Sequence, residues 1–107
     1  MKLISTLFAG LLAASLISPA IAGDAKAGAA AAQNCIMCHG QNGITTLPGI
    51  PSLAGQPEVY LASQLKQFRD GQRKNATMSI MAQPMSDTDI ENVSAWFSQF
   101  EITLKKP

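Results

Sequence analysis

Cys35-Ile36-Met37-Cys38-His39 is the stretch that decides how the rest of this chain is read. Two thiols stand three positions apart, and the residue that follows is the only histidine among 107 residues. A disulfide between them would close a tiny, strained loop with little entropy to gain. A dithiol redox centre of this spacing usually opens a helix in a βαβ setting, and no strand pattern surrounds this one. A zinc site would need two further Cys or His ligands, and the chain has 2 Cys and 1 His in all. The order Cys-x-x-Cys-His fits covalent haem c attachment. Each thiol adds to one vinyl group of the porphyrin, and His39 then lies beneath the ring to give iron its proximal nitrogen. Two thioethers would keep haem on a polypeptide too small to enclose it.

Upstream of the motif, Met1-Lys2 gives a positive start. Leu3 to Ile17 is apolar apart from Ser5, Thr6 and Ser15, and Pro19 precedes the small-x-small stretch Ala20-Ile21-Ala22. This is the pattern of a cleaved secretory leader over residues 1–22, with a mature domain over 23–107. The rival reading is an uncleaved anchor, since nothing charged lies between Lys2 and Asp24. The hydroxyl residues, Pro19 and the cleavage signal favour removal. The alanine-rich run from Asp24 to Asn34 then reads as a helix, with Asp24 at its positive end and Asn34 as its stop. Gly28 is unfavourable inside a helix, and close approach of another helix would account for it.

Downstream, Gly43, Pro48, Gly49 and Pro51 make Gly40 to Gly55 a loop. Pro57 can open a second helix, with Leu61, Leu65 and Phe68 as its apolar stripe and Gly71 as its stop. Gln72 to Met85 reads as another loop. Ser86-Asp87-Thr88-Asp89 resembles a capping box, and Ile90, Val93, Phe97 and Phe100 follow on one face with Trp96 beside them. The expected fold is all-α: three main helices and two long loops around one cofactor. Loops this long in so small a domain are usually functional.

Charge excludes little. The chain has 8 Lys and Arg against 7 Asp and Glu, and Lys2 would leave with the leader. Without a basic field, nucleic acid is not an expected partner. Ligand types are more informative. A single histidine forbids bis-histidine ligation within one chain, so methionine is the expected sixth ligand. Met1 leaves with the leader and Met37 lies inside the motif. Met78, Met81 and Met85 remain open, although any one of them could simply fill core.

From Cys35 onward the chain resembles the class I cytochromes c, and most of all one half of the two-domain dihaem periplasmic cytochromes and their single-domain relatives. The stretches that carry the resemblance are Cys35-Ile36-Met37-Cys38-His39-Gly40, Ile50-Pro51-Ser52-Leu53-Ala54-Gly55-Gln56, Tyr60-Leu61 with Gln64-Leu65, Phe68-Arg69-Asp70-Gly71 with Arg73 and Asn75, Met78 with Met81, and Ser86-Asp87 through Ile90 to Trp96-Phe97. The resemblance implies that the Pro51 carbonyl accepts the Nδ1 proton of His39, with Pro48 the weaker candidate. It implies Met78 as the axial ligand, a crossing of two helices where Gly28 meets Trp96, and Arg73 as a partner for a haem propionate. Lys66, Arg69 and Arg73 fall on one helical side. They read either as a propionate or docking patch or as an ordinary solvated face. Met85 departs from the family pattern, which usually has leucine there.

The expected function is transfer of single electrons between redox protein partners in the periplasm, through Fe(II)/Fe(III) with both axial positions filled and no catalysis. Membrane insertion is not expected after leader removal, and transient docking on membrane complexes is left open. Two alternatives stand beside this reading. One is a five-coordinate haem protein binding a small gas or peroxide; the other is an electron-transfer subunit dedicated to one larger oxidoreductase.

Overall fold

The computed structural model describes residues 22–107, together with Gly10 and residues 14–16. The leader assigned to residues 1–22 therefore lies largely outside the described residues. Among those described, no helix is long and apolar enough to cross a membrane.

Five helices and no strands make up the described chain: α1 (Ala25–Ala31), α2 (Gln33–His39), α3 (Glu58–Asp70), α4 (Met78–Ala82) and α5 (Asp87–Ser98). Asp24 caps α1 through its carboxylate, which accepts from Lys26 N at 2.9 Å and Ala27 N at 3.2 Å. This satisfies two of the amides that a helix start leaves unpaired. Pro57 precedes α3, and Gly71 ends it in the left-handed conformation, φ 82°. Ser86 and Asp89 form a reciprocal capping box, with Ser86 Oγ accepting from Asp89 N at 3.0 Å.

Two expectations are corrected. The helix read over Asp24 to Asn34 stops at Ala32, and Asn34 lies inside a second helix that carries the whole Cys-x-x-Cys-His motif. Its stop is Gly40, at φ 86°, where a Cβ would overlap the Ile44 carbonyl oxygen. The loop read over Gln72 to Met85 contains the short helix α4. Asn75 Oδ1 opens it by accepting from Thr77 N at 3.0 Å and Met78 N at 2.9 Å. The expected three helices thus become five, all within the all-α class.

The core is small. Ala32, Leu61, Val93 and Phe97 form its centre, with Cys35, Ile36, Leu53, Leu65, Met85, Trp96 and Phe100 packed around it. Helix α5 is the common partner, meeting both α1 and α3. Gly28 sits at the α1–α5 crossing, where an added Cβ would overlap the Asn92 carbonyl oxygen and lie 2.9 Å from Trp96 Cβ. Backbone cannot move aside as a flexible side chain can. Gly28→Ala should therefore cost about 1–3 kcal/mol, read as a lower denaturant midpoint at unchanged slope.

Two ion pairs tie α3 to α5. Lys66 Nζ lies 3.3 Å from Glu91 Oε1, and Arg69 Nη1 lies 2.8 Å from Asp87 Oδ1. The hydrogen bond and charge of Arg69 hold the Asp87 carboxyl below its usual range, with Lys66 adding attraction. A depressed folded-state pKa stabilises the fold above the ordinary carboxylate range and loses that effect as pH falls through it. Below about pH 4, the ordinary aspartate range, the wild-type melting temperature should fall faster than that of Asp87→Asn. Equal slopes would show that the pair contributes nothing. The effect should be modest, because Asp87 is exposed.

Candidate haem-binding site

Helix α2 sets the geometry of the motif. Cys35 and Cys38, three residues apart, share one face of the helix, and His39 closes its last turn. Both thiols are free, Cys35 half-buried and Cys38 exposed. Burial pushes the Cys35 thiol above its usual pKa. A nucleophilic dithiol centre needs the opposite shift, toward thiolate. Among the described residues no group of three or more His, Cys, Asp or Glu side chains converges on a point. The dithiol and zinc readings thus find no support in the geometry.

His39 is only 7% exposed, and a buried ring needs its polar atoms satisfied. Its Nδ1 lies 2.7 Å from the Pro51 carbonyl oxygen. A carbonyl can only accept, so Nδ1 donates, and in the neutral imidazole this leaves Nε2 with a free lone pair. That is the tautomer of a metal-ligating histidine held by an outer-shell carbonyl. The loop from Gly40 to Gly55 places Pro51 through its own bonds. Thr45 Oγ1 donates to the Cys38 carbonyl at 2.8 Å, Thr45 N donates to Ser52 Oγ at 3.1 Å, and Leu53 N donates to the Gly43 carbonyl at 2.6 Å. Thr45 escaped the sequence reading, and Gly43 entered it only as a loop residue. Gly43, at φ 77° with Phe97 Cδ1 2.7 Å from where a Cβ would stand, had a signal in its residue type. Thr45 had none.

The three methionines part company. Met78 is half-buried at the first position of α4, and Met81, one turn later on the same helix, is 39% exposed. Met85 is packed against the core cluster. The cationic side of α3 is largely paired within the protein. Lys66 bonds Glu91, and Arg69 reaches Asp70, Asp87 and the Met85 carbonyl. Arg73 donates to Gln64 Oε1 at 2.6 Å and covers the Phe68 ring at 4.5 Å. A guanidinium has five donors, and the bond to Gln64 leaves others of Arg73 available.

The donor set fits covalent haem c. It offers two thiols on one helical face, a buried imidazole fixed through Nδ1 with Nε2 free, and thioether sulfurs on α4. Large apolar side chains at Ile44, Leu47, Tyr60 and Ile80 are at least half exposed.

An all-helical domain with a Cys-x-x-Cys-His helix and a carbonyl-braced histidine defines a small haem-attachment fold of the class I type. The cytochrome c family model matches residues 25–101, and the chain belongs to that family. It is 46% identical over 83 residues to cytochrome c-554(548) of Halomonas halodenitrificans, covering 75% of this chain and 100% of that protein. It is 45% identical over 71 residues to the thiosulfate dehydrogenase electron acceptor of Thiomonas intermedia, covering 65% of this chain and 33% of that one. Among solved structures, reduced recombinant cytochrome c4 from Pseudomonas stutzeri superposes with a TM-score of 0.71 at 39% identity, covering 75% of this chain and 47% of that one. The chain therefore spans the whole of the first relative but at most about half of the other two.

Proposed function

We propose that the protein is a periplasmic carrier of single electrons with one haem c. The observation that carries the proposal is the buried His39 ring, one residue beyond the thiol pair, with Nδ1 on the Pro51 carbonyl and Nε2 free. In this reading Cys35 and Cys38 hold the cofactor by thioethers, and His39 Nε2 and Met78 supply the axial ligands. Pro51 fixes the imidazole plane, and Arg73 turns one of its remaining donors to a propionate. When bound, the haem supplies the Fe(II)/Fe(III) couple.

The polypeptide's part is to keep that couple simple. Two axial side chains leave no open position for a substrate, so no bond is made or broken, and the reading is of a carrier rather than an enzyme. Rigid ligands limit reorganisation, because the imidazole cannot rotate without losing the Pro51 bond. Electrons would cross where the cofactor edge is least covered, beside the exposed Cys38. Encounters with donor and acceptor proteins should be brief and small in area.

The test is a redox titration of the exported protein with optical readout. The expected result is one reversible one-electron step, a methionine–iron charge-transfer band in the oxidised state, and slow or absent carbon monoxide binding in the reduced state. Rapid carbon monoxide binding without that band would favour the five-coordinate alternative. The likeness to an electron acceptor of thiosulfate dehydrogenase supports a second reading, in which a single dehydrogenase is the dedicated donor. Co-purification, or a donor-specific reduction rate, separates it from free diffusion among partners.

A further inference from the structure

We infer that the bond between Ala22 and Gly23 is the processing site of this chain, and that the ammonium freed at Gly23 is received by the Glu58 carboxylate. Gly23 N lies 2.7 Å from Glu58 Oε1, partly buried and 35 positions away in sequence. In the intact chain this nitrogen is an amide with one proton and no charge. Hydrolysis adds water across the Ala22–Gly23 bond, so that Ala22 leaves as a carboxylate and Gly23 keeps its nitrogen as an ammonium. No electrons are transferred. The hydrogen bond from a neutral amide to the carboxylate thereby becomes an ion pair with charge on both partners.

The neighbouring acids are already engaged. The Asp24 carboxylate caps α1, and the Glu91 carboxylate pairs with Lys66. Glu58 is the acid left facing Gly23, at the first turn of α3, where the helix dipole also favours its charge. The residue after the scissile bond must also be glycine. A Cβ at position 23 would overlap the Glu91 carbonyl and lie 2.8 Å from Asn92 N. The next residue is pinned to the same helix, since Asp24 N donates to Asn92 Oδ1 at 2.8 Å. Ala22 is exposed on the other side of the bond, and Ala20-Ile21-Ala22 supplies the small-x-small pattern that a leader-removing peptidase needs. The segment is thus seated between α3 and α5 through the backbone nitrogens of Gly23 and Asp24, and removal of the leader places a charge at that seat. The inference does not depend on the cofactor.

The test is the intact mass of the exported holoprotein, followed by competitive acylation of its α-amine in wild type, Glu58→Gln and Glu91→Gln. The expected mass is that of residues 23–107 plus whatever haem is carried. The expected α-amine reactivity rises several-fold in Glu58→Gln and stays near wild type in Glu91→Gln. Should Glu58→Gln fail to fold, selective acetylation of the wild-type α-amine gives the same information through a lowered melting temperature. A chain starting at any other residue overturns the inference, as does equal α-amine reactivity with and without the Glu58 charge. An unchanged melting temperature after acetylation does so too.

Discussion

A chain carrying Cys35→Ser and Cys38→Ser together should leave the export pathway colourless and without a cooperative unfolding transition. The reason is the size of the core. Its centre is four residues, one of them alanine, and the largest fully shielded side chains among the described residues are Phe97, Ile90, Val93 and Ser94. Domains of this length bury too little surface to spare a major part of their interior. A net stability of about 5–15 kcal/mol is typical of folded domains, and an account in which the cofactor is part of the interior leaves little of it without thioether attachment. Circular dichroism and proteolysis would read the loss directly. The single variants should fall between, each retaining one thioether and part of the colour. A double variant as compact and protease-resistant as wild type would show that the polypeptide folds on its own contacts.

The second large effect belongs to Met78. Met78→Ala should lose the methionine–iron band and gain fast carbon monoxide binding in the reduced state. Its reduction potential should also fall by something on the order of a hundred millivolts, a fraction of the roughly 0.8 V that axial-ligand changes span. The direction follows from chemistry, because a thioether favours Fe(II) more than water or hydroxide does. Two controls make the result specific. Met85→Leu should leave spectrum and potential unchanged, because Met85 is packed against the core and leucine keeps its volume. Met81→Ala should keep the band, because Met81 is the more exposed of the two methionines on α4. If Met81→Ala loses the band and Met78→Ala keeps it, the axial assignment moves one turn along the helix.

How much of this was legible in the sequence depended on the range of the interactions. Asp24, Gly71 and the Ser86–Asp89 box act within a few residues, and all three stand where local chemistry puts them. The two corrections concern helices of 7 and 5 residues, too short to be stable through propensity alone. Asn34 reads as a stop, yet α2 continues through it because Cys35 and Ile36 pack on the core and Gly40, not Asn34, terminates the turn. Asn75 is the local signal for α4, since its side chain caps the two amides that begin the helix. At the site, residue type alone singled out the thiols and the histidine. The brace on His39 is a backbone carbonyl 12 positions away, which only the family resemblance could suggest. Arg69 shows the limit most clearly. On its own helix it looks, with Lys66, like one of two solvent-facing cations, but it reaches 16 and 18 positions onward to the Met85 carbonyl and Asp87. It thereby closes the base of the segment that carries the methionines.

Acid–organic extraction of the exported protein puts the attachment itself to the test, because it strips haem held by ligation alone and leaves haem held by thioethers. The expected result is colour that stays with the polypeptide, one haem per chain, and no titratable thiol at Cys35 or Cys38. A compact polypeptide that is colourless after extraction, with both thiols free, would contradict the account at its root.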